Sequence, residues 1–232
     1  MKNVALLIYD QFEIVDASGP LDVFIKACRI ENTFNVFTLA AKKDFVYAEK
    51  SSYSIMPTYS IHNCPLEPDV IIIPGSELNN IRNNIIPSED FKYLVIPWLI
   101  ETKKQRPQTI IMSVCTGAFI LAETGLLENK PCTTHKDHYD DLENRLPNSA
   151  VVKGVRYVDV TGRGDIITTS GITSGIDGAL YLVAKMINKK TANKVSSMMQ
   201  FDAKDSNEVS VFTFGIGLIS VALLTFFISR RF

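Results

Sequence analysis

Cys115 stands where an apolar strand passes directly into a helix, a position that suits a nucleophile. Residues 109–114 predict a buried strand, and a helical pattern begins after Cys115 and ends before Gly125. Such a strand–turn–helix junction holds a side chain at the tip of a sharp elbow. Because a helix N-terminus favours the thiolate, we expect the pKa of the Cys115 thiol to lie below its usual value. The alternative is a small apolar residue packed between strand and helix.

Asp16 is the acidic residue best placed to work with this thiol. It follows the first predicted strand, residues 4–9, and precedes a predicted helix over residues 20–29. Neighbouring parallel strands open into one crevice at their carboxyl ends, so Asp16 and Cys115 are expected to meet there. Like charges at short range would leave the two groups holding one proton between them, which provides a nucleophile and a general acid. A helix cap or a turn is the alternative for Asp16.

Backbone N–H groups near the elbow are candidates for an anion-stabilising pocket. The predicted strand over 70–73 ends in a proline, followed by Gly75 and Ser76. Free N–H groups of these two residues, together with that of Thr116, would stabilise negative charge developing on a substrate. An ordinary strand-ending turn is the alternative.

The histidines and cysteines do not form a metal-binding pattern. The four cysteines are irregularly spaced without a CxxC pair, so we predict no metal site and no disulfide framework. No histidine adjoins Cys115, but His135 could support the site if it lies close in space; a surface or helix-start position is the alternative. Asp177, early in the last long predicted helix, is a second supporting candidate, although the favoured interpretation there is a structural acid stabilised by the helix dipole.

The composition indicates one α/β domain without a nucleic-acid partner. The chain has 232 residues, 46% of them hydrophobic, with 24 basic and 25 acidic residues, and that balance argues against a nucleic-acid-binding surface. Apolar strands alternate with helices along residues 1–202, which predicts a mostly parallel sheet covered by helices on both faces. Besides the segments named above, strands are predicted over 34–39, 157–160 and 166–169, a hairpin over 46–61, and helices over 88–104, 136–146, 173–187 and 191–199.

The segment 209–229 contains no charged residue and predicts a transmembrane helix. At 1.5 Å per residue it would span roughly 30 Å, the thickness of a bilayer's hydrocarbon core. A buried core helix is the alternative, but such helices rarely stay apolar on every face. A polar linker over 203–208 precedes the segment, and a basic tail over 230–232 follows it. We therefore expect a single-pass membrane protein with a C-terminal anchor and a cytosolic globular domain.

Six short segments, in this order along the chain, resemble the PfpI/ThiJ superfamily. They lie at residues 16–22, 72–75, 113–118, 122–127, 133–135 and 171–177. The superfamily has the flavodoxin-like fold of class I glutamine amidotransferases. The chain is most similar to its isocyanide hydratase branch and to the sensor domains of AraC-type regulators. The resemblance covers about residues 2–200.

The resemblance implies roles for individual residues. Cys115 matches the family nucleophile, and Asp16 matches the acidic residue that contacts it. Thr116 matches the residue that marks the hydratase branch, where protease-like members carry histidine. The family pocket is completed near Gly75 and Ser76 and is shared across a homodimer. Ser76 is a departure, because many members have a second glycine there, and its side chain could narrow the pocket.

The resemblance implies a cysteine-dependent hydratase that acts on a small isocyanide-like electrophile without a cofactor. Cys115 would form a covalent thioimidate, which water converts into an N-formamide. One alternative is a membrane-tethered redox or small-molecule sensor of the same fold that does not turn over substrate. Another is glyoxalase or deglycase activity. The chain has no room for the DNA-binding helices of AraC-type relatives, so a regulator of transcription is not expected.

Overall fold

The structure, a computed structural model, describes residues 1–76 and 89–204. Within these residues, nine strands and six α-helices follow one another largely as predicted. The strands are β1 (Lys2–Leu7), β2 (Phe34–Ala40), β3 (Val46–Tyr47), β4 (Ser54–Ile55), β5 (Tyr59–Ser60), β6 (Val70–Ile73), β7 (Ile110–Val114), β8 (Tyr157–Asp159) and β9 (Ile166–Thr169). The helices are α1 (Ile14–Ile30), α2 (Ile96–Gln105), α3 (Gly117–Glu123), α4 (Tyr139–Arg145), α5 (Ser174–Met186) and α6 (Lys189–Met198).

The main sheet is mostly parallel, as predicted. Its seven strands lie in the order β5-β2-β1-β6-β7-β9-β8, and only β8 runs antiparallel to its neighbour. All four residues of β6 are fully buried. Because successive side chains of a strand point to opposite faces, this burial requires that both faces are covered. The α/β class with a helix-covered parallel sheet is confirmed.

The order of the central strands determines where the site lies. Strand β6 pairs in parallel with β1 on one side and with β7 on the other. At their carboxyl ends, β1 leads to Asp16, β6 leads to Gly75, and β7 leads to Cys115. The segment after β1 therefore reaches the elbow after β7 across the end of β6, which lies between these two strands.

Helix α1 begins earlier than predicted. Pro20 was expected at the first helical position, but the helix starts at Ile14 and contains Pro20 in its interior. An interior proline loses a hydrogen bond and costs about 3 kcal/mol. Close packing on α5 accompanies this geometry: a Cβ added to Gly19 would lie 2.9 Å from Ile176, and one added to Gly175 would lie 2.9 Å from Pro20. As a result, Asp16 belongs to the first turn of α1 rather than to a preceding loop.

The predicted hairpin over 46–61 is shorter than expected. Strands β3 and β4 pair antiparallel as a small separate ribbon, with Val46 opposite Ile55. Strand β5 instead joins the edge of the main sheet beside β2. The predicted helix over 88–104 is helical from residue 89 in the described part, passes through a π-helical turn, Phe91–Val95, and continues into α2. Its predicted cap, Ser88, lies outside the described residues.

The membrane part of the predicted fold class is corrected. In the described ranges, 1–76 and 89–204, no helix is long and apolar enough to cross a membrane. Among the described helices the longest, α1, has 17 residues and carries charged side chains, among them Asp22 and Lys26. The predicted anchor over 209–229, the tail over 230–232 and most of the linker lie outside the described residues. The predicted membrane location depended on this anchor, so the finding that no described helix can cross a membrane corrects that prediction as well.

Gly117 lets the first turn of α3 lie against the end of β6. A Cβ at this position would overlap the carbonyl oxygen of Ile73 and would lie 2.8 Å from that of Pro74. These are backbone atoms, which cannot rotate away. Glycine at this position therefore allows the sharp elbow that the strand–turn–helix pattern predicts.

The variant Gly117→Ala should therefore destabilise the protein. We expect the free energy of unfolding to fall by about 1–3 kcal/mol, measured by urea denaturation followed by circular dichroism. The control Ser18→Ala, on the exposed side of α1, should change it by no more than about 0.5 kcal/mol. Equal stability of both variants would show that α3 is not held this closely against β6.

Candidate active site

Cys115 occupies a strained turn between β7 and α3. Its φ angle is 54°, in the left-handed region that costs a non-glycine residue of order 1–3 kcal/mol. Its N–H group lies 3.2 Å from the carbonyl oxygens of both Thr169 and Ser170, and its own carbonyl accepts a 2.9 Å hydrogen bond from the Thr134 hydroxyl. These contacts hold the thiol at the carboxyl end of the sheet, in the predicted elbow geometry.

Asp16 is completely buried beside this thiol. Its Oδ2 accepts a 3.0 Å hydrogen bond from the N–H of Gly75. Its Oδ1 is also buried and has no hydrogen-bonded nitrogen or oxygen partner among the described residues. The carboxyl group interacts electrostatically with Cys115. The predicted meeting of these two side chains is therefore present in the structure.

Burial changes the protonation of Asp16. Loss of hydration raises the pKa of its carboxyl to about 8, and the nearby Glu13 adds to the rise. The hydrogen bond from Gly75 opposes the shift but does not cancel it. At neutral pH the carboxyl is therefore largely protonated, which fits an oxygen without a hydrogen-bond donor.

The expected low pKa of the Cys115 thiol is wrong. Burial raises this pKa well above its usual value, and the proximity of Asp16 raises it further. The N–H of Thr116, at the start of α3, lowers it, as the helix argument anticipated, but desolvation is the larger effect. Below about pH 8 the pair therefore carries two protons instead of the predicted one. The first proton to leave creates one negative charge shared by the two side chains.

Two of the three N–H groups predicted to form an oxyanion pocket already bond within the chain. That of Gly75 donates to Asp16, and that of Ser76 donates to the Thr116 hydroxyl over 2.9 Å. The same hydroxyl donates to the Ser76 carbonyl over 2.8 Å. Thr116 and Ser76 thus clamp the turn after β6 onto the elbow. A Cβ at Gly75 would lie 2.8 Å from Asp16, so this close approach requires glycine.

His135 lies at the site. It lines the same cavity as Cys115, and its ring packs directly over Gly171. Its Nδ1 accepts a 3.3 Å hydrogen bond from the N–H of Asp137, which leaves the proton of the neutral ring on Nε2. Burial lowers its pKa, so the ring is neutral at physiological pH. Its predicted supporting role stays a prediction.

Asp177 does not line the cavity around Cys115. Its Oδ2 accepts a 2.6 Å hydrogen bond from Nε of Arg156, and its Oδ1 accepts one of 2.9 Å from the N–H of Lys204. The side chain is almost completely buried. These contacts make Asp177 an anchor for Arg156 and for the chain after α6, which corresponds to the structural alternative.

The cavity at Cys115 is small and includes residues that the sequence analysis missed. Its volume is about 160 Å³. Tyr9, close behind it, donates a 2.7 Å hydrogen bond to the Pro74 carbonyl. Tyr9 and Glu13, like Asp16, follow β1, and Ile172 lies in the family segment 171–177; these positions were the available signals. His138 had no such signal. Around Cys115 the cavity is lined by Glu13, Ser76, Thr116, His135, His138 and Ile172.

A buried thiol that lines so small a cavity, with a protonated carboxyl beside it, suits addition to a small electrophile. The thiol can form a covalent bond while the carboxyl donates a proton. Among the described residues, no group of three histidine, cysteine, aspartate or glutamate side chains is arranged to hold a metal ion.

Two known proteins illustrate the sequence similarity of this chain to others. The chain is 29% identical over 201 residues to an isonitrile hydratase of Pseudomonas putida, covering 86% of this chain and 78% of the relative. It is 30% identical over 102 residues to the HTH-type transcriptional regulator CdhR of Pseudomonas aeruginosa, covering 44% of this chain and 29% of the regulator.

Solved structures share the fold. A ThiJ/PfpI family protein from Pseudomonas syringae superimposes with a TM-score of 0.71 at 22% identity, covering 88% of this chain and 76% of that one. DJ-1 of Schizosaccharomyces pombe gives a TM-score of 0.66 at 20% identity, covering 87% and 100%. At such identities the likeness concerns the fold alone.

The family assignment rests on the sequence match, which spans nearly the whole described domain. The pattern of the DJ-1/PfpI family extends over residues 2–185, from β1 into the last turn of α5. This range includes the elbow at Cys115 and the acidic residue in α1. The chain therefore belongs to the DJ-1/PfpI family.

Proposed function

We propose that the protein is a cysteine-dependent hydratase of a small isonitrile, the functional group also called isocyanide, and that it releases an N-formamide. The observation that carries this proposal is the buried contact between the Cys115 thiol and a carboxyl group that keeps its proton at neutral pH. The similarity to an isonitrile hydratase supports the same chemistry. Cys115 and Asp16 are the proposed catalytic residues.

The first step forms the thioimidate. Loss of one proton from the pair, followed by transfer within it, gives a Cys115 thiolate beside a neutral Asp16 carboxyl. The sulfur attacks the terminal carbon of the isonitrile, and Asp16 gives that carbon its proton. A C–S bond and a C–H bond form, the terminal carbon becomes doubly bonded to nitrogen, and Asp16 becomes a carboxylate. Both partners act from fixed positions, which favours the addition.

The second step consumes water. The Asp16 carboxylate takes a proton from a water molecule whose oxygen attacks the thioimidate carbon, and it passes this proton to the nitrogen. The resulting intermediate collapses: its hydroxyl proton goes to Asp16, the C–S bond breaks, and the thiolate leaves. The products are the N-formamide and the starting form of the pair, so no external acid, base or oxidant is needed.

A small-molecule or redox sensor without turnover is the second candidate. It is favoured by the similarity to regulators, although the chain spans only 29% of CdhR and 51% of the regulator GbdR from Pseudomonas aeruginosa. A sensor would undergo at most one modification per thiol, whereas a hydratase turns over. Glyoxalase or deglycase activity has no separate observation in its favour.

We also propose that the protein works as a homodimer, in agreement with the resemblance. Large apolar side chains around the ribbon of β3 and β4 are exposed, with 53% of Phe45, 46% of Tyr47 and 44% of Met56 accessible. Phe45 and Met56 adjoin the paired residues Val46 and Ile55, so they lie at the same end of the ribbon. Burying such a surface in a second copy is favourable.

The turnover assay separates hydratase from sensor. The full chain is expected to convert a simple alkyl isonitrile into its formamide at many equivalents per protein, followed by chromatography. Cys115→Ala should abolish turnover, because no thioimidate can form. The matched control is Cys64→Ala, since Cys64 does not line the cavity. Full activity of Cys115→Ala would end the hydratase proposal, and a folded protein without turnover would favour the sensor.

Asp16→Asn should separate thiol reactivity from catalysis. The wild-type rate of Cys115 alkylation by iodoacetamide is expected to rise with pH through about 8, where the pair loses its first proton. The variant removes a carboxyl that raises the thiol pKa, so it should alkylate faster at pH 7. Its turnover should nevertheless fall by about 10²-fold or more, because the proton donor is lost.

The control for this experiment is Asp22→Asn on the same helix, where the side chain pairs with Lys26. It should leave both rates close to those of the wild type. If alkylation and turnover fell together in Asp16→Asn, Asp16 would be acting through the structure of the site instead of as an acid.

The oligomeric state can be tested on the ribbon. Sedimentation equilibrium should give twice the mass of one chain for the wild type and a single mass for the double variant Phe45→Glu/Met56→Glu. Tyr93→Glu, at another exposed aromatic residue (62% accessible), should remain dimeric. A wild-type monomer, or a double variant that stays dimeric, would contradict an interface at this ribbon.

A further inference from the structure

A second cavity adjoins the one at Cys115. Its volume is about 450 Å³, and the two cavities share His135 and Ile172 in their walls. Sites for small organic ligands usually enclose roughly 300–1,000 Å³. The Cys115 cavity, at about 160 Å³, is smaller than that and holds little more than a reacting group. The rest of a larger substrate would therefore extend past His135 and Ile172.

The wall of this outer cavity is basic. It contains Lys136 and Arg156, and the described residues that line it include no aspartate or glutamate. Lys136 is exposed and has no salt bridge to a carboxylate among the described residues. The buried Asp177 offsets the charge of Arg156 and fixes its guanidinium through Nε and Nη2. Lys136 thus supplies the net positive charge, and Arg156 supplies a held, planar donor group.

The first turn of α5 adds donors to the same wall. Thr173 and Ser174 line the cavity, and neither side chain caps the helix. The Thr173 hydroxyl accepts a 3.0 Å hydrogen bond from Arg156, and the Ser174 hydroxyl donates to the carbonyl of Gly171 over 3.0 Å. The start of α5, with its partial positive charge, therefore lines the same cavity as the two cationic side chains.

We propose that the outer cavity binds a carboxylate at the far end of the substrate, while the electrophilic end reaches Cys115. Ile172, with 38% of its surface exposed, would contact the apolar middle of such a molecule. The assignment of the electrophile as an isonitrile rests on the proposed function. The recognition of an anionic group does not, because it depends only on Lys136, Arg156 and the start of α5.

The first test uses a pair of substrates that differ in one charge. We expect the wild type to turn over a short isonitrile with a terminal carboxylate with a higher kcat/KM than its methyl ester. Salt should reduce this preference, because it screens the attraction. Lys136→Met should lower the carboxylate-to-ester ratio by about fivefold or more, which corresponds to about 1 kcal/mol. Lys153→Met should leave the ratio unchanged, because Lys153 pairs with Asp140 and Glu143 outside the cavity.

The second test needs no turnover and separates the two proposals. Cys115 is alkylated with iodoacetamides whose nitrogen carries a short chain that ends in a carboxylate or in the neutral carboxamide. Relative to free glutathione, the wild type should favour the carboxylate reagent, and Lys136→Met should lose that preference. Such a result without isonitrile turnover would support the anion site and overturn the hydratase. Turnover combined with equal carboxylate preference in the wild type and Lys136→Met would overturn the anion site alone.

Discussion

The burial of the Asp16 carboxyl against the Cys115 thiol is the contact on which the site depends. Removal from water makes the carboxyl keep its proton, and the Gly75 N–H is its one conventional hydrogen-bond donor among the described residues. This arrangement has a stability consequence. The folded protein binds the proton more tightly than the unfolded chain does. The protonated Asp16 carboxyl therefore makes its full contribution to stability below the ordinary carboxyl pKa. This contribution is lost as the pH rises through about 8.

The parallel order β1-β6-β7 is what makes this contact available. Three segments that are distant in sequence leave the sheet at one edge, and glycine allows them to approach closely. Thr116 and Ser76 then fix the middle segment to the elbow through two hydrogen bonds. The strained turn at Cys115 is thus held by its surroundings on both sides, which keeps the thiol in place.

In the proposed function, the two adjoining cavities separate chemistry from recognition. The inner cavity is lined by Cys115, whose thiol lies beside the Asp16 carboxyl, and a negative charge brought into this cavity would repel the charge that the pair develops. The outer cavity has the opposite character, with Lys136 and Arg156 in its wall. A substrate with an uncharged reactive end and an anionic far end would match this distribution. Asp177 does not line the inner cavity, but it holds Arg156 in the wall of the outer cavity.

The sequence by itself determined the parallel α/β fold and the elbow, because apolar runs, turn residues and the cysteine between strand and helix are local signals. It also predicted that Asp16 would meet the elbow, whereas for His135 it left a surface position open. Only the tertiary structure decided that Pro20 lies inside α1, that the Ser76 N–H binds Thr116, and that Asp177 pairs with Arg156. It also reversed the expected thiol pKa. The physical reason is that packing, hydrogen-bond partners and loss of hydration arise from residues far apart in the chain, which local patterns do not record.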